Sequence, residues 1–147
     1  MKRNGKLSLA LHALGHMARA GDGPLRSEDL AAHHQTNPVV VRRVLGVLRD
    51  AGIVSSERGH AGGWRLARAA EEVSVAEVYA LLRERTFAAD PEAATSPCAI
   101  EARLHGVMAE AATAAEDRLR ERLATVSIAD LACAMDGAAG EAAPGLP

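Results

Sequence analysis

Aromatic residues are scarce in this sequence, which contains one Trp, one Tyr and one Phe in 147 residues. Hydrophobic residues nevertheless make up 48% of the chain, and this share excludes the disordered class of protein. A core with so few aromatic rings must consist mainly of Ala, Leu and Val. Because Ala and Leu are strong helix formers, we predict a mainly α fold.

Long hydrophobic runs, cysteine clusters and enzyme motifs are also missing. No apolar run approaches the ~20 residues that cross a bilayer, and no signal-peptide core follows Lys2 and Arg3. We therefore expect a cytoplasmic protein with no membrane partner. Two cysteines are too few for a disulfide scaffold or a zinc cluster. The sequence has no P-loop, dinucleotide-binding fingerprint, GxSxG motif or convincing triad, so we do not expect an enzyme.

Charge is divided unequally between the two halves of the chain. Residues 1–68 contain 11 basic and 5 acidic residues, which is a net charge of +6. Residues 69–147 contain 6 basic and 14 acidic residues, which is a net charge of −8. A basic front half joined to an acidic back half predicts a module that binds a polyanion, attached to a second element.

The basic half has the pattern of three helices followed by a β-hairpin. Apolar residues recur at helical spacing in its first part, and short alternating runs follow. The predicted elements are helices over 7–20, from Ser27 to a turn at 33–36, and from Asn37 to Gly52, then strands over 53–57 and 64–67. Ser27 and Asn37 are the expected N-caps of their helices. A helix-turn-helix followed by a hairpin wing is an arrangement that binds DNA.

The wing contains the only Trp, in the stretch RGHAGGWRLA at 58–67. Its glycines allow a tight turn, which brings Arg58 and His60 to a phosphate or to the minor groove. Trp64 is expected to anchor the return strand to the helical core and not to contact DNA. The full set of expected DNA contacts is Lys2, Arg3, Lys6, Asn37, Val39, Val40, Arg42, Arg43, Arg58, Gly59 and His60.

The acidic half is predicted to be helical, and its longest helix defines the architecture. Ser74 and Glu77 have capping-box spacing at the start of a fourth helix. A fifth helix of about 28 residues, from Ser96 to about Thr125, spans ~42 Å. Its apolar stripe is longer than the front domain can cover, and a second copy of the same helix is the simplest partner. A two-fold homodimer of this kind suits a palindromic operator on double-stranded DNA.

These elements divide the chain into four predicted segments. They are a winged helix-turn-helix domain at 1–85, a linker loop at 86–95, a dimerisation helix with a short terminal helix at 96–136, and a disordered tail at 137–147. The apolar stripe of the long helix consists of Ile100, Leu104, Val107, Ala111, Ala115, Leu119 and Leu123. The predicted fold is thus mainly α, with a small β-hairpin wing and a long C-terminal dimerisation helix.

The stretch NPVVVRRVLGVLRDAGIVSSERGHAGGWRLAR resembles the signature of the Rrf2 family of bacterial transcription regulators. The resemblance continues through VSVAEVYALL, CAIEARLHGVM and IADL, and it covers nearly the whole chain except the tail. Recognition helix, glycine-rich wing, long helix and terminal IADL follow one another in the family's order. This resemblance implies a dimeric winged-helix repressor, or a sensor of redox state, iron–sulfur status or reactive species.

The sequence departs from this family in its cysteines. Members that hold an iron–sulfur cluster commonly have three closely spaced cysteines near the start of the long helix, whereas only Cys98 lies there. Such clusters usually need four ligands, mostly thiolates, so we expect no cofactor and no metal ligand. A metal or cluster held by Cys98 and histidines stays open as an alternative. His12 and His16 lie one helical turn apart, and His33 and His34 could lie near them.

Cys98 has a chemical role that needs no cluster. If Ser96 caps the long helix, Cys98 is its second residue, where backbone N–H groups and the helix dipole stabilise a thiolate. Oxidation to a sulfenic acid or a disulfide would reposition the dimer helix. An inert packing role at the helix start is equally compatible with the sequence, and Cys133 is expected to pack in the core.

The predicted function is that of a homodimeric DNA-binding transcription repressor that responds to redox or reactive-species stress through Cys98. The effector and the operator sequence are not defined by these patterns. Two alternatives stay open. One is a metal- or iron–sulfur-dependent regulator, and the other is a winged-helix protein–protein adaptor, which the basic front half disfavours.

Overall fold

The computed structural model describes residues 5–21, 23–83 and 98–139. These residues form α1 (Lys6–Arg19), α2 (Ser27–His33), α3 (Pro38–Asp50), β1 (Val54–Glu57), β2 (Gly63–Leu66), a 3-10 helix (Ala70–Glu72), α4 (Val75–Leu82), α5 (Ala99–Ala124) and α6 (Ile128–Ala139). The order confirms the predicted mainly α fold, with a helix-turn-helix in α2 and α3 and an antiparallel hairpin wing in β1 and β2. No helix among the described residues is long and apolar enough to cross a membrane.

Some sequence predictions concern residues outside the described part of the chain. They are those for Lys2, Arg3, Ser96, the linker loop at 86–95 and residues 140–147 of the tail. Helix α6 continues to Ala139, so residues 137–139 are helical, although the sequence pattern assigned them to the disordered tail.

An aliphatic core lies between α1, α3, α4 and the start of the wing. Its largest fully buried side chains include Leu14, Leu45, Leu48, Ile53, Val78 and Tyr79. Helix α6 packs against α1 and adds the fully buried Ile128. The expectation of a core built mainly from small and aliphatic residues is confirmed.

Two of the predicted helix caps are present. The Asn37 side chain accepts a hydrogen bond from the backbone N–H of Val39 at 2.8 Å, at the start of α3. The Ser74 hydroxyl accepts one from the N–H of Glu77 at 3.1 Å, at the start of α4. The Glu77 carboxylate itself pairs with Arg68 at 2.7 Å, so it ties the chain after the wing to α4.

Ser27 is not the N-cap of α2, contrary to the prediction. Arg26 occupies that position, and Ser27 is the first residue of the helix. The Ser27 hydroxyl accepts a hydrogen bond from the indole N–H of Trp64 at 2.9 Å, and both residues are buried. A buried indole N–H needs an acceptor, and Ser27 supplies it across the fold. The expectation that Trp64 anchors the wing to the helical core is therefore confirmed.

Close backbone contacts explain the two glycines before Trp64. Trp64 exchanges two backbone hydrogen bonds with Leu25, at 2.8 and 2.9 Å, so the chain before α2 lies along β2. A Cβ at Gly63 would lie 2.6 Å from the Leu25 carbonyl oxygen, and one at Gly62 would lie 2.3 Å from the carbonyl oxygen of Glu57. Neither position leaves room for a side chain unless the backbone moves.

The two halves of α5 have different surroundings. Leu119 and Leu123, in the second half, pack against the core. Four large apolar residues in the first half are exposed: Ile100 (80%), Leu104 (56%), Val107 (48%) and Met108 (59%). The predicted apolar stripe is therefore part of the core at one end and exposed on this chain at the other.

A buried hydrogen bond joins α5 to α4. The Tyr79 hydroxyl donates to the Glu116 carboxylate at 2.7 Å, and each residue is 2% exposed. Arg120, one turn further along α5, lies 3.5 Å from the same carboxylate. A carboxylate is costly to bury unless it is paired and hydrogen-bonded, so these contacts specify how α5 sits on α4.

Tyr79→Phe should lower the free energy of unfolding by about 1–3 kcal/mol, because a buried carboxylate loses the hydrogen bond from the phenol. Urea denaturation followed by circular dichroism measures this change. Glu121→Gln is the matched control, since Glu121 pairs with Arg118 on the exposed side of the same helix. Its effect should stay within about 0.5 kcal/mol. A Tyr79→Phe protein as stable as the parent would contradict the structural role of this hydrogen bond.

Candidate nucleic-acid interface

The solvent side of α3 contains the residues predicted to contact DNA. Its opposite side is buried through Val41, Val44, Leu45 and Leu48, as the sequence pattern predicted. The exposed residues at its start and along its outer face include Asn37, Val39, Val40, Arg42 and Arg43. Val39 is 56% and Val40 is 40% exposed. Exposed apolar groups beside arginines match the major groove, which displays thymine methyl groups beside guanine acceptors.

The two adjacent arginines Arg42 and Arg43 of α3 have different neighbours. Arg42 lies on the side that faces α2, where its guanidinium forms an ion pair with the Glu28 carboxylate. Arg43 lies on the other side and borders a groove of about 620 Å³ together with Lys6 and Val47. The structure therefore brings the predicted contacts Lys6 and Arg43 to one groove. Arg42 is not part of this groove and pairs with Glu28 of α2.

The wing tip carries the predicted contacts Arg58, Gly59 and His60, all of them exposed. Gly59 has a φ of +107°, a conformation that residues with a side chain rarely adopt. The Arg26 guanidinium donates a hydrogen bond to the His60 backbone carbonyl. This contact ties the tip of the wing to the start of α2.

Three consecutive residues at the start of α2 each hold a different part of this surface. Arg26 holds the wing tip, Ser27 holds Trp64 at the base of the wing, and Glu28 holds Arg42 of α3. We call these three residues the α2 clamp. Sequence reasoning did not identify Arg26 or Glu28 as functional residues, because a charged pair around a serine is common at helix starts.

A cleft of about 650 Å³ separates the wing from the α2 clamp. The charged and titratable side chains that line it are Arg26, Arg42, Arg58, His60, Glu28 and Glu57. Glu57 also lies 3.6 Å from Arg65 on the paired strand. Three arginines against two carboxylates leave this cleft positive, as a surface that meets phosphates requires.

Cys98 is the N-cap of α5 and not its second residue, which corrects the sequence prediction. Its side chain is exposed. The backbone N–H groups of Glu101 and Ile100 lower the pKa of the Cys98 thiol below its ordinary value. The chemical expectation that the helix start favours a thiolate therefore has a physical cause at this position.

Cys133 is exposed on α6, whereas the sequence predicted that it packs in the core. The preceding residue, Ala132, is buried instead, with 7% of its surface exposed. Cys133 borders a shallow cleft together with Arg19 and Glu71. Both thiols are thus accessible to solvent, and only the surroundings of the sulfur distinguish Cys98 from Cys133.

Residues 3–134 match the family described as Rrf2, iron-dependent transcriptional regulator. A Bacillus subtilis (strain 168) protein named HTH-type transcriptional regulator YwnA is 29% identical over 129 residues, which is 87% of this chain and 95% of that protein. A solved structure of a transcriptional regulator from Lactobacillus plantarum has a TM-score of 0.72 at 25% identity and 89% coverage of both chains. CymR of B. subtilis, described as its global cysteine regulator, has the same fold, with a TM-score of 0.63 at 21% identity over 87% of this chain and 93% of CymR.

The described side chains do not fit the iron in the family's description. Cys98 and Cys133 are exposed on two different helices. Across residues 5–21, 23–83 and 98–139, no group of three or more His, Cys, Asp or Glu side chains is arranged to hold a metal ion. An iron–sulfur cluster needs about four such ligands.

The family match extends from α1 into α6, so it includes α2, α3 and the wing. The relatives that match are transcriptional regulators and not enzymes, in agreement with the sequence prediction. The helix-turn-helix, the wing and the long fifth helix follow one another as the resemblance implied. The chain belongs to the Rrf2 family of winged-helix transcriptional regulators.

Proposed function

We propose that this regulator is a homodimeric transcription repressor of the bacterial cytoplasm that binds a palindromic operator and responds to oxidants through Cys98. The observation that carries the proposal is the α2 clamp, which holds the recognition helix and the wing in one surface. Two exposed groups of residues, at the start of α3 and at the wing tip, are thereby kept at a constant separation. A winged-helix domain needs this separation to contact adjacent grooves.

Each predicted DNA contact has a role in this proposal. Arg42 and Arg43 contact guanine edges or phosphates in the major groove, and Val39 and Val40 contact thymine methyl groups. Asn37, Arg58, Gly59, His60, Lys2, Arg3 and Lys6 contact the sugar–phosphate backbone or the minor groove. Contacts to phosphates position the domain, whereas contacts to base edges supply the specificity.

The exposed first half of α5 supports a homodimer. A helix of 26 residues spans ~39 Å, and within the described part of the chain its second half packs on its own domain while its first half is exposed. Ile100, Leu104 and Val107 lie on one face of the first half, at helical spacing. Pairing of this face with its copy removes the apolar surface from water and places two winged domains around one two-fold axis.

Cys98 lies at the start of this exposed half of α5, so its oxidation state bears on the dimer. A Cys98 thiolate attacks hydrogen peroxide, which breaks the O–O bond and gives a sulfenic acid and hydroxide. A second thiol, such as Cys98 of the other subunit, then displaces water from the sulfenic acid and forms a disulfide. Either product changes the helix start at which both subunits meet, and a two-fold dimer transmits that change to both recognition helices.

Arg42→Ala and Arg43→Ala should each weaken operator binding by ~1–3 kcal/mol. Fluorescence anisotropy with an operator and with single-base variants separates two roles. Loss of discrimination at one base-pair position of the operator identifies a base contact. Equal weakening of binding to all sequences, with the slope of log K against log[salt] reduced in magnitude by about 1, identifies a phosphate contact. Arg49→Ala is the control, because Arg49 pairs with Asp50 in the last turn of the same helix. Unchanged binding by the double variant Arg42→Ala/Arg43→Ala would refute the assignment of α3 as the recognition helix.

Leu104→Glu/Val107→Glu should convert the dimer into a monomer, because two carboxylates would be buried in an apolar interface. Sedimentation velocity at micromolar concentrations measures the change, and circular dichroism checks that the helices are retained. Ala102→Glu is the matched control, since Ala102 is exposed on the opposite face of the same segment. The dimer proposal is wrong if the parent sediments as a monomer under these conditions.

Treatment with hydrogen peroxide should change the operator affinity of the parent by about 5- to 150-fold, the usual range of coupling between two sites. Cys133→Ser should respond in the same way, and Cys98→Ser should bind but not respond. Mass spectrometry locates the modified thiol in the same samples. If Cys98→Ser responds as the parent does, Cys98 is not the sensor.

A further inference from the structure

Four of the six histidines in the chain meet between α1 and α2. Their rings form a row, in which the ring centroids of His34 and His12 are 5.4 Å apart, those of His12 and His16 are 5.0 Å apart, and those of His16 and His33 are 4.9 Å apart. We call these four residues the histidine row. Two of its members come from α1 and two from the end of α2, so the row spans the contact between these helices.

Two members of the row, His16 and His34, are poorly suited to positive charge. The Nε2 atoms of His16 and His34 are buried without a hydrogen-bond partner. Burial, followed by the charges of His12, His33 and Arg19, lowers the pKa of His16 below its ordinary value of 6.5. Burial and the charge of His12 likewise lower the pKa of His34.

The charged groups around the row come from three elements. Arg19 of α1 adds positive charge, and Asp29 of α2 borders a cleft of about 320 Å³ together with His16 and His33. Glu71 of the 3-10 helix borders a neighbouring cleft together with Arg19. One carboxylate at the edge of the row cannot neutralise several imidazolium groups in contact, so protonation of successive rings produces repulsion between α1 and α2.

We propose that the histidine row is a proton-responsive joint that releases α2 from α1 when the protein is acidified. Release of α2 displaces the α2 clamp, which loosens the wing and Arg42 together. The joint itself follows from the ring geometry alone, and its effect on DNA rests on the proposed function. The regulator would thus lose its DNA-binding surface in acid through a device separate from Cys98.

The direction of the pH effect follows from the lowered pKa values. Well above pH 6.5, His16 and His34 are neutral in both the folded and the unfolded chain, and they add no pH dependence. As the pH falls below 6.5, the unfolded chain binds protons more readily than the folded chain does. The free energy of unfolding therefore decreases with falling pH. On unfolding, these two groups together bind up to about two extra protons per chain.

Thermal and urea unfolding of the DNA-free protein between pH 8 and pH 5 tests the joint. The parent should lose stability steeply below pH 6.5. In His16→Gln/His34→Gln, the free energy of unfolding should depend less steeply on pH. His60→Gln/His105→Gln is the matched control, because it removes two histidines outside the row and should keep the parent's slope. Equal slopes for the parent and His16→Gln/His34→Gln would overturn the proposal.

Proton titration of the histidine ring signals by NMR gives a second test on the unmodified parent, which stays decisive if the double variant does not fold. His16 and His34 should titrate below 6.5, and backbone signals of α2 should shift in the same pH range. Titration of both rings at or above 6.5 would overturn the proposal.

The effect on DNA is measured as the ratio of operator affinities at pH 7.5 and pH 5.5. The parent and His105→Gln, which lies outside both the row and the proposed DNA contacts, should lose more affinity on acidification than His16→Gln/His34→Gln does. Equal losses in all three proteins would overturn the link between the joint and the α2 clamp. Absence of operator binding at every pH would count against the proposed function instead, and the unfolding experiment would still decide whether the joint exists.

Discussion

The hydrogen bond from the Trp64 indole to the Ser27 hydroxyl is the interaction on which the proposed DNA-binding surface of α3 and the wing depends. It joins a strand of the wing to the first turn of α2, across 37 residues of sequence. Because both partners are buried, loss of either leaves an unpaired polar group in the core, a penalty of about 1–3 kcal/mol. The backbone bonds between Trp64 and Leu25 continue the same contact, and the absence of side chains at Gly62 and Gly63 allows it. The only Trp of the chain thus determines where the wing stands.

The second half of the molecule has an equivalent contact at Tyr79 and Glu116. The middle turns of α5 consist largely of alanine, whose small side chains alone would leave the position of α5 on α4 weakly defined. A buried phenol–carboxylate hydrogen bond specifies that position, and Leu119 and Leu123 pack beyond it. Among the described residues, the second half of α5 packs on the core, whereas the first half exposes its large apolar side chains and begins after Cys98. The residues proposed for sensing and dimerisation therefore lie on the half of the helix that is exposed on this chain.

Local patterns in the sequence predicted the parts of the fold whose causes are local. Asn37 and Ser74 cap their helices because each bonds a backbone N–H two or three residues away. Ser27 has the same chemistry, but its partner comes from the wing, which no local pattern contains. Cys133 was misassigned because Ala-rich α6 has apolar residues on several faces, so periodicity does not select the buried one. The ring contacts of the histidine row and the α2 clamp depend on how α1, α2 and the wing are packed, which a sequence alone does not state.

The α2 clamp combines a buried hydrogen bond that DNA binding leaves intact, which is the permanent contact, with an exposed ion pair that DNA can replace, which is the exchangeable contact. The bond between Ser27 and Trp64 is buried, and DNA cannot compete for it. The ion pair between Glu28 and Arg42 is more than half exposed on both sides. Exposed pairs of this kind contribute ~0–1 kcal/mol, so transfer of Arg42 from Glu28 to a guanine or a phosphate costs little. Arg42 is therefore oriented before DNA arrives and still available to it, while the buried bond keeps the wing in register with α3. For this reason a displacement of α2, as the histidine row would cause, acts on the permanent contact and the exchangeable one at once.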